Sequence, residues 1–159
     1  MNTPYDAAPA LQVSRWLNTE RPMALADLLG RVVVLHAFQM LCPGCVSHSI
    51  PQAIKIHNTF EREDVVVLGL HTVFEHHAVM GPEALMVFLH EYRVPFPVAI
   101  DAAVAGEAIP LTMQTYGFRG TPSLVLIDRQ GHVRLNHFGS LDDLRLGFLL
   151  GQLVAETAA

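Results

Sequence analysis

The chain has 159 residues, of which 51% are hydrophobic, and its 10 Lys+Arg against 15 Asp+Glu give a net charge of -5. This length suits one domain, which we predict to span residues 1–159 around one core. The acidic balance excludes a strongly basic nucleic-acid-binding surface. The sequence starts without a signal-peptide pattern, and its longest apolar run is too short to cross a bilayer. We therefore expect no membrane partner and a cytoplasmic location, although a trimmed periplasmic domain would look the same.

Hydrophobic patterning predicts strands that alternate with helices over a core at residues 25–155, after an N-terminal extension at 1–24. Two continuous apolar runs, Val32–Phe38 and Val65–Leu70, are typical of strands buried on both faces of a parallel sheet. In chain order, we predict a helical turn at Leu25–Leu29, a strand at Val32–Phe38, a helix from Pro43 to Phe60 that is kinked at Pro51, a strand at Val65–Leu70, a helix at Pro82–Tyr92, a strand at Pro97–Ile100, an ambiguous segment at Ala102–Tyr116, a strand at Ser123–Ile127, a hairpin turn at Asp128–Gly131, a strand at His132–Phe138 and a helix at Leu141–Glu156. Parallel crossovers come first and an antiparallel hairpin comes late. This order predicts an α/β fold with a mixed central sheet and helices on both faces.

Cys42 and Cys45 are the only cysteines, and two residues separate them. Such a pair can close a disulfide or bind a metal ion. Cys42 falls at the start of a predicted helix, where unpaired backbone N–H groups and the helix dipole favour a thiolate. Pro43 suits the first helical position, and Cys45 lies one turn further in. We therefore predict that Cys42 is the attacking thiol and Cys45 the more shielded, resolving thiol.

These features resemble the thioredoxin superfamily, and within it the TlpA-like, redoxin-type branch. The resemblance rests on the buried strand that leads into Cys42-Pro43-Gly44-Cys45, on Gly120-Thr121-Pro122 before a later strand, and on Gly69–Glu75, which is similar to a segment of DipZ-like members. It covers roughly residues 25 to 155. It implies a thioredoxin-like three-layer sandwich and a cis bond between Thr121 and Pro122. It also implies that these two residues align an extended substrate beside the cysteines.

The chain departs from the family pattern at two places. Gln39-Met40-Leu41 stands where the family usually has an aromatic residue, and His36 stands where it often has an acidic one. A neutral His36 imidazole beneath the cysteine pair would relay a proton to or from Cys45. The alternative is a core histidine satisfied by a backbone carbonyl. Glu75 is a further candidate because it follows the carboxyl end of a strand, where sites gather in α/β sheets, although such glutamates are more often simply solvated.

We predict a thiol–disulfide oxidoreductase that exchanges the Cys42–Cys45 pair with disulfides of proteins or small molecules. It would need an electron donor that the sequence does not identify, and no cofactor or metal. A peroxiredoxin-type peroxidase is one alternative, but its pattern expects Thr or Ser three positions before Cys42, where the chain has Gln39. A second alternative is a copper- or zinc-binding module that uses both cysteines and a histidine such as His71 or His76, although structural zinc usually takes four ligands.

Overall fold

A computed structural model describes residues 5–157, which form a mixed sheet of six strands flanked by helices. The strands are β1 (Val13–Leu17), β2 (Val32–Phe38), β3 (Val65–His71), β4 (Val98–Asp101), β5 (Ser123–Ile127) and β6 (Val133–Phe138). The α-helices are α1 (Ile50–Thr59), α2 (Pro82–Glu91), α3 (Leu111–Tyr116) and α4 (Asp143–Ala155). The strand order is β1-β4-β3-β2-β5-β6, with β2, β3 and β4 parallel and the other strands antiparallel to their neighbours. The predicted α/β class and mixed sheet are confirmed.

Strand β2 lies at the centre of the sheet, between β3 and β5, and all of its residues are buried. Its run of valines favours the extended backbone because branched side chains pack well on a pleated surface. His36 pairs with Gly69 of β3 on one side and with Leu124 of β5 on the other. Pairing on both sides fixes the carboxyl end of β2, which leads directly into the cysteine motif.

Successive residues of β2 contribute to different cores because strand side chains alternate between the two faces. Val34 and Phe38 belong to a cluster that includes buried residues of α1, α2 and α4. Val33 and Leu35 belong to a second cluster, which includes Met113 of α3 and residues near the amino terminus. Helices therefore cover both faces, as predicted. Within residues 5–157, no helix is both long and apolar enough to cross a membrane.

The amino-terminal segment contributes a strand that the sequence analysis missed. Strand β1 pairs antiparallel with β4 at the edge of the sheet, with Trp16 opposite Ala99. Ala7 forms a further bridge to His132. Part of the predicted extension 1–24 thus belongs to the sheet and contributes to its core, whereas residues 1–4 lie outside the described part of the chain. Only five residues long and half exposed, β1 lacks the continuous apolar pattern that revealed β2 and β3.

The ambiguous segment 102–116 contains one short helix, α3, which begins after Pro110. The buried carboxylate of Asp101 accepts hydrogen bonds from the backbone N–H groups of Thr112 and Met113, at 2.8 and 2.9 Å. It also accepts one from the Thr72 hydroxyl, at 2.9 Å. These bonds satisfy free N–H groups of the first turn and tie α3 to β3 and β4. Burial raises the pKa of Asp101, while these hydrogen bonds oppose the rise.

The helix that follows the cysteine motif is irregular ahead of Pro51, where the sequence predicts a kink. Cys45–Ser49 forms a π-helical turn, and the backbone N–H of Ile50 donates to the carbonyl of Cys45. Helix α1 then continues to Thr59, with Pro51 in its first turn. Proline has no N–H and its ring crowds the preceding turn, so a wider turn accommodates it. The predicted irregularity is present, and it takes the form of this wide turn.

Candidate active site

The two cysteines lie together at the beginning of this helix. The carbonyl of Cys42 accepts the Val46 N–H at 3.1 Å, which makes Cys42 the first, capping residue of the helix. The Cys45 N–H donates to the Cys42 sulfur at 3.3 Å. Both thiols are free, Cys42 half-buried and Cys45 fully buried. The predicted geometry is confirmed, with one sulfur accessible at the helix N-terminus and the second shielded behind it.

The buried thiol of Cys45 is held in its protonated form. Its pKa is raised to about 12, chiefly by burial and also by its hydrogen bond with the Cys42 side chain. Contributions from the Gln39 backbone and the Thr121 side chain lower this pKa in part. Burial disfavours the charged thiolate, whereas donated hydrogen bonds stabilise it. Cys45 is therefore a thiol, and not a thiolate, at neutral pH.

The loop that contains Thr121 and Pro122 lies against the cysteine motif. The bond between these two residues is cis, as the resemblance implied. The Cys42 thiol donates to the carbonyl of Thr121 at 3.5 Å. A Cβ atom placed on Gly44 would lie 3.5 Å from Cδ of Pro122. The backbone of Thr121 therefore borders the accessible sulfur, at the position from which an extended chain could pair with it.

Gln39 joins three segments at this end of the sheet, and the sequence analysis did not assign it a role. Its side chain is 1% exposed. Its Oε1 accepts the Phe74 N–H at 3.2 Å. Its Nε2 donates to Thr121 Oγ1 at 3.3 Å and to Glu75 Oε1 at 3.4 Å. The exposed Glu75 is therefore connected to the edge of the site by its hydrogen bond with Gln39. The available sequence signal was a polar residue directly after a strand predicted to be buried.

His36 lies in the core, on the face of β2 that also carries Val34 and Phe38. Both of these residues share a buried cluster with Cys45, so His36 is on the same side of the sheet as Cys45. Within the described residues, neither of its ring nitrogens has a hydrogen-bond partner. Burial, with a contribution from His48, lowers its pKa to about 4, so the ring is neutral at neutral pH. His36 is therefore a core residue, and no backbone carbonyl within residues 5–157 accepts a hydrogen bond from its ring.

The other histidines do not form a metal site. His71 is buried, its Nε2 accepts the Met40 N–H at 3.3 Å, and burial lowers its pKa to about 4. His48 contacts the Leu141 carbonyl at 3.2 Å, and His76 is exposed. Across residues 5–157, no three His, Cys, Asp or Glu side chains are grouped so that they could hold a metal ion. The geometry therefore does not support the copper- or zinc-binding alternative.

The peroxidase alternative is not favoured either. That chemistry needs a thiolate polarised by a nearby hydroxyl and an arginine. In the described part of the chain, the hydrogen-bond partners of the Cys42 sulfur are the Cys45 N–H and the Thr121 carbonyl. The Gln39 side chain, at the position of the peroxidase hydroxyl, bonds to Thr121 and Glu75 instead.

A thioredoxin-like sheet with this cysteine pair is typical of one class of protein, the thiol–disulfide oxidoreductases.

Comparisons with known proteins agree with this class. A thioredoxin-like superfamily protein of known crystal structure is 52% identical in sequence to this chain. The two structures have a TM-score of 0.94, and the match covers 96% of this chain and 99% of that chain. A thiol-disulfide isomerase from Corynebacterium glutamicum is 51% identical, with a TM-score of 0.93 over 97% of this chain and 99% of that one. NHL repeat-containing protein 2 of Gallus gallus is 33% identical over 91 residues, which are 55% of this chain and 12% of that protein.

The model of the AhpC/TSA family matches residues 4–136. The chain belongs to this family. Together with the structural neighbours, the match confirms the predicted thioredoxin-like, redoxin-type assignment. The chain spans only 12% to 16% of the length of the curated NHL repeat-containing relatives, which therefore contain much more than this domain.

The two buried histidines predict a stability that falls with acid. Each has a folded-state pKa of about 4, against an ordinary value of 6.5, so the unfolded chain binds more protons between these values. Stability is therefore highest above pH 6.5 and decreases toward pH 4, by roughly 3 kcal/mol for each histidine. Asp101, whose pKa is raised, opposes part of this loss. Urea unfolding between pH 7 and 4.5 measures the effect.

Single histidine variants show how much of the acid sensitivity comes from a buried histidine. His71→Gln keeps an acceptor for the Met40 N–H but cannot titrate, and we expect it to flatten the dependence of stability on pH. The exposed His90 provides the matched control, since His90→Gln should leave the slope as in the wild type. An unchanged slope in His71→Gln would contradict the assigned pKa.

Proposed function

We propose that the protein catalyses thiol–disulfide exchange, with Cys42 as the attacking thiol and Cys45 as the resolving thiol. The observation that carries this proposal is the pairing of an accessible, helix-capping sulfur with a fully buried one directly behind it. Cys42 attacks a substrate disulfide and releases the first substrate thiol, forming a mixed disulfide. Cys45 then attacks the Cys42 sulfur and releases the second thiol. The dithiol is oxidised to a disulfide as the substrate disulfide is reduced to two thiols.

The substrate is a disulfide in an extended protein segment or in a small molecule. Supporting this proposal, the Thr121 carbonyl lies 3.5 Å from the Cys42 sulfur, and the Pro122 ring lies beside Gly44. A segment that runs past Cys42 would meet the Thr121 backbone, whose polar groups can pair with it as one strand pairs with another. Thr121 and Pro122 thus serve as the substrate-binding residues in this proposal.

Replacing each cysteine separately tests the two roles. Cys42→Ser should abolish reduction of a disulfide substrate such as insulin, because no nucleophile remains at the accessible position. Cys45→Ser should also stop turnover, but it should accumulate a covalent complex with the substrate that dithiothreitol releases. Non-reducing electrophoresis and mass spectrometry detect that complex. Equal retained activity in both variants would refute the assignment.

We further propose that His36 relays a proton to or from Cys45. Its imidazole is neutral at neutral pH and shares a face of the sheet with Cys45. Two buried, unpaired nitrogens cost on the order of 1–3 kcal/mol each, so a purely structural residue at this position would better be apolar. A neutral imidazole accepts a proton at one nitrogen and can pass one on from the other.

His36→Leu distinguishes proton transfer from packing. We expect it to raise the free energy of unfolding, since it removes two unpaired polar atoms, and yet to slow exchange. The expected decrease is about a hundredfold, the low end of the range for general acid–base catalysis. Exchange rates from pH 6 to 9 together with urea unfolding provide both values. Unchanged rates across this range would show that His36 is only a core residue.

For the direction of exchange, we propose that the protein acts in the cytoplasm as a disulfide reductant. This location is the expectation from the sequence, and a reducing compartment would maintain the pair as a dithiol. A reductant needs a potential near or below that of the cytosolic glutathione pool, about -220 mV or lower. Equilibration of the purified protein with glutathione buffers measures it. A value near -120 mV, typical of a strong oxidant, would refute both the direction and the location.

A further inference from the structure

Four segments meet at the end of the sheet that holds Cys42, and the topology sets their order. The parallel strands β3 and β2 both end there, β5 begins there beside β2, and β6 ends beside the start of β5. Glu75 follows β3, and Cys42 follows β2. Thr121 precedes β5, and Phe138 is the last residue of β6. Glu75 and Phe138 therefore lie on opposite sides of the Cys42 sulfur.

On the β3 side, an acidic side chain is connected to the loop that contains Thr121. Glu75 Oε1 accepts a hydrogen bond from Gln39 Nε2 at 3.4 Å, and the same nitrogen donates to Thr121 Oγ1 at 3.3 Å. Because Gln39 is buried, it holds the exposed Glu75 carboxylate beside Thr121. Glu75 forms no ion pair with any residue of 5–157. Its negative charge is therefore available to a bound molecule.

On the β6 side, a basic side chain lies beside the same loop. A Cβ atom placed on Gly120 would lie 3.0 Å from Cε2 of Phe138, so the ring packs directly against the residue before Thr121. The Arg119 guanidinium lies over this ring, 5.4 Å from its centre, where the face of the ring attracts the cation. Arg119 is exposed and, in the described part of the chain, forms no ion pair. Its positive charge is available in the same way.

We propose that Glu75 and Arg119 select the substrate, an extended protein segment whose disulfide cysteine lies between a basic and an acidic residue. Glu75 binds the basic residue of the segment, and Arg119 binds the acidic one. This inference rests on the proposed function, because it names the substrate class of the same site. Cys42 attacks the substrate disulfide and the displaced thiol leaves, as in the exchange reaction above, so the two charges act only on binding and alignment.

The width of the site sets the spacing of the two charges in the bound segment. Strands β3 and β6 are three positions apart in the sheet, which at roughly 4.8 Å per strand gives about 14 Å. An extended chain advances about 3.3 Å per residue. The two charged residues of the segment are therefore about four positions apart, so each lies about two positions from the cysteine.

Short peptides with a central cysteine, joined by a disulfide to thionitrobenzoate, test this charge pattern. Attack by Cys42 releases the coloured thionitrobenzoate, and stopped-flow absorbance gives the second-order rate constant. The residues two before and two after the cysteine are Lys and Glu, Glu and Lys, or Gln and Gln. One charged order should react on the order of fivefold faster than the glutamine peptide, and the reverse order more slowly, because like charges then face each other. Added salt should diminish this difference.

Substitutions of the two charged residues connect this preference for one charge order to the structure. Arg119→Gln and Glu75→Gln should each reduce the preference, and Glu75→Gln retains an oxygen that can accept from Gln39 Nε2. Arg119→Lys, which keeps the positive charge, should retain most of it. The double exchange Arg119→Glu with Glu75→Lys should invert the preference, which a loss of packing would not do. Both residues are exposed, so we expect the variants to fold.

Two charged residues at the opposite end of the sheet provide matched controls. Arg62 and Glu63 are exposed and lie just before the start of β3. Arg62→Gln and Glu63→Gln should keep the preference of the wild-type protein. Equal rates for the two charged orders in the wild type, or a preference that survives the loss of both Glu75 and Arg119, would overturn the inference. Absence of thionitrobenzoate release from every peptide would instead refute the proposed exchange reaction.

Discussion

The burial of strand β2 on both faces is the constraint on which the rest of the structure depends. Its residues pair with β3 and β5, and its side chains contribute to both cores. A strand held in this way cannot shift register without moving every side chain to the wrong face. The residues at its carboxyl end, from Gln39 to Cys42, are therefore fixed relative to the neighbouring segments that complete the site.

Removal of water from this region explains the electrostatics of the site. Burial raises the pKa of Cys45 to about 12 and lowers those of His36 and His71 to about 4. In each case the neutral form is favoured, because the charged form would lose more hydration energy on burial than its interactions with neighbouring groups provide. Cys45, His36 and His71 are thus uncharged at neutral pH. In such surroundings, single hydrogen bonds from a hydroxyl or an amide have a large effect.

The sequence predicted what depends on continuous patterns and on spacing. The apolar runs identified β2 and β3, and the two-residue spacing identified the cysteine pair and its place at a helix start. It missed the short edge strand β1, whose half-exposed residues have no continuous apolar pattern. It also missed the role of Gln39, because its partners Phe74 and Thr121 are distant in the chain and meet only after β2, β3 and the proline loop have packed. The unpaired state of the His36 ring depends in the same way on tertiary contacts.

Gln39 also bears on why this site suits dithiol exchange better than peroxide chemistry. A peroxidase polarises its attacking sulfur, and the position three residues before Cys42 would hold the hydroxyl that does so. Here that position holds an amide whose donors are directed at Thr121 and Glu75. The Gln39 side chain therefore does not polarise the Cys42 sulfur, as a hydroxyl at this position would do in a peroxidase.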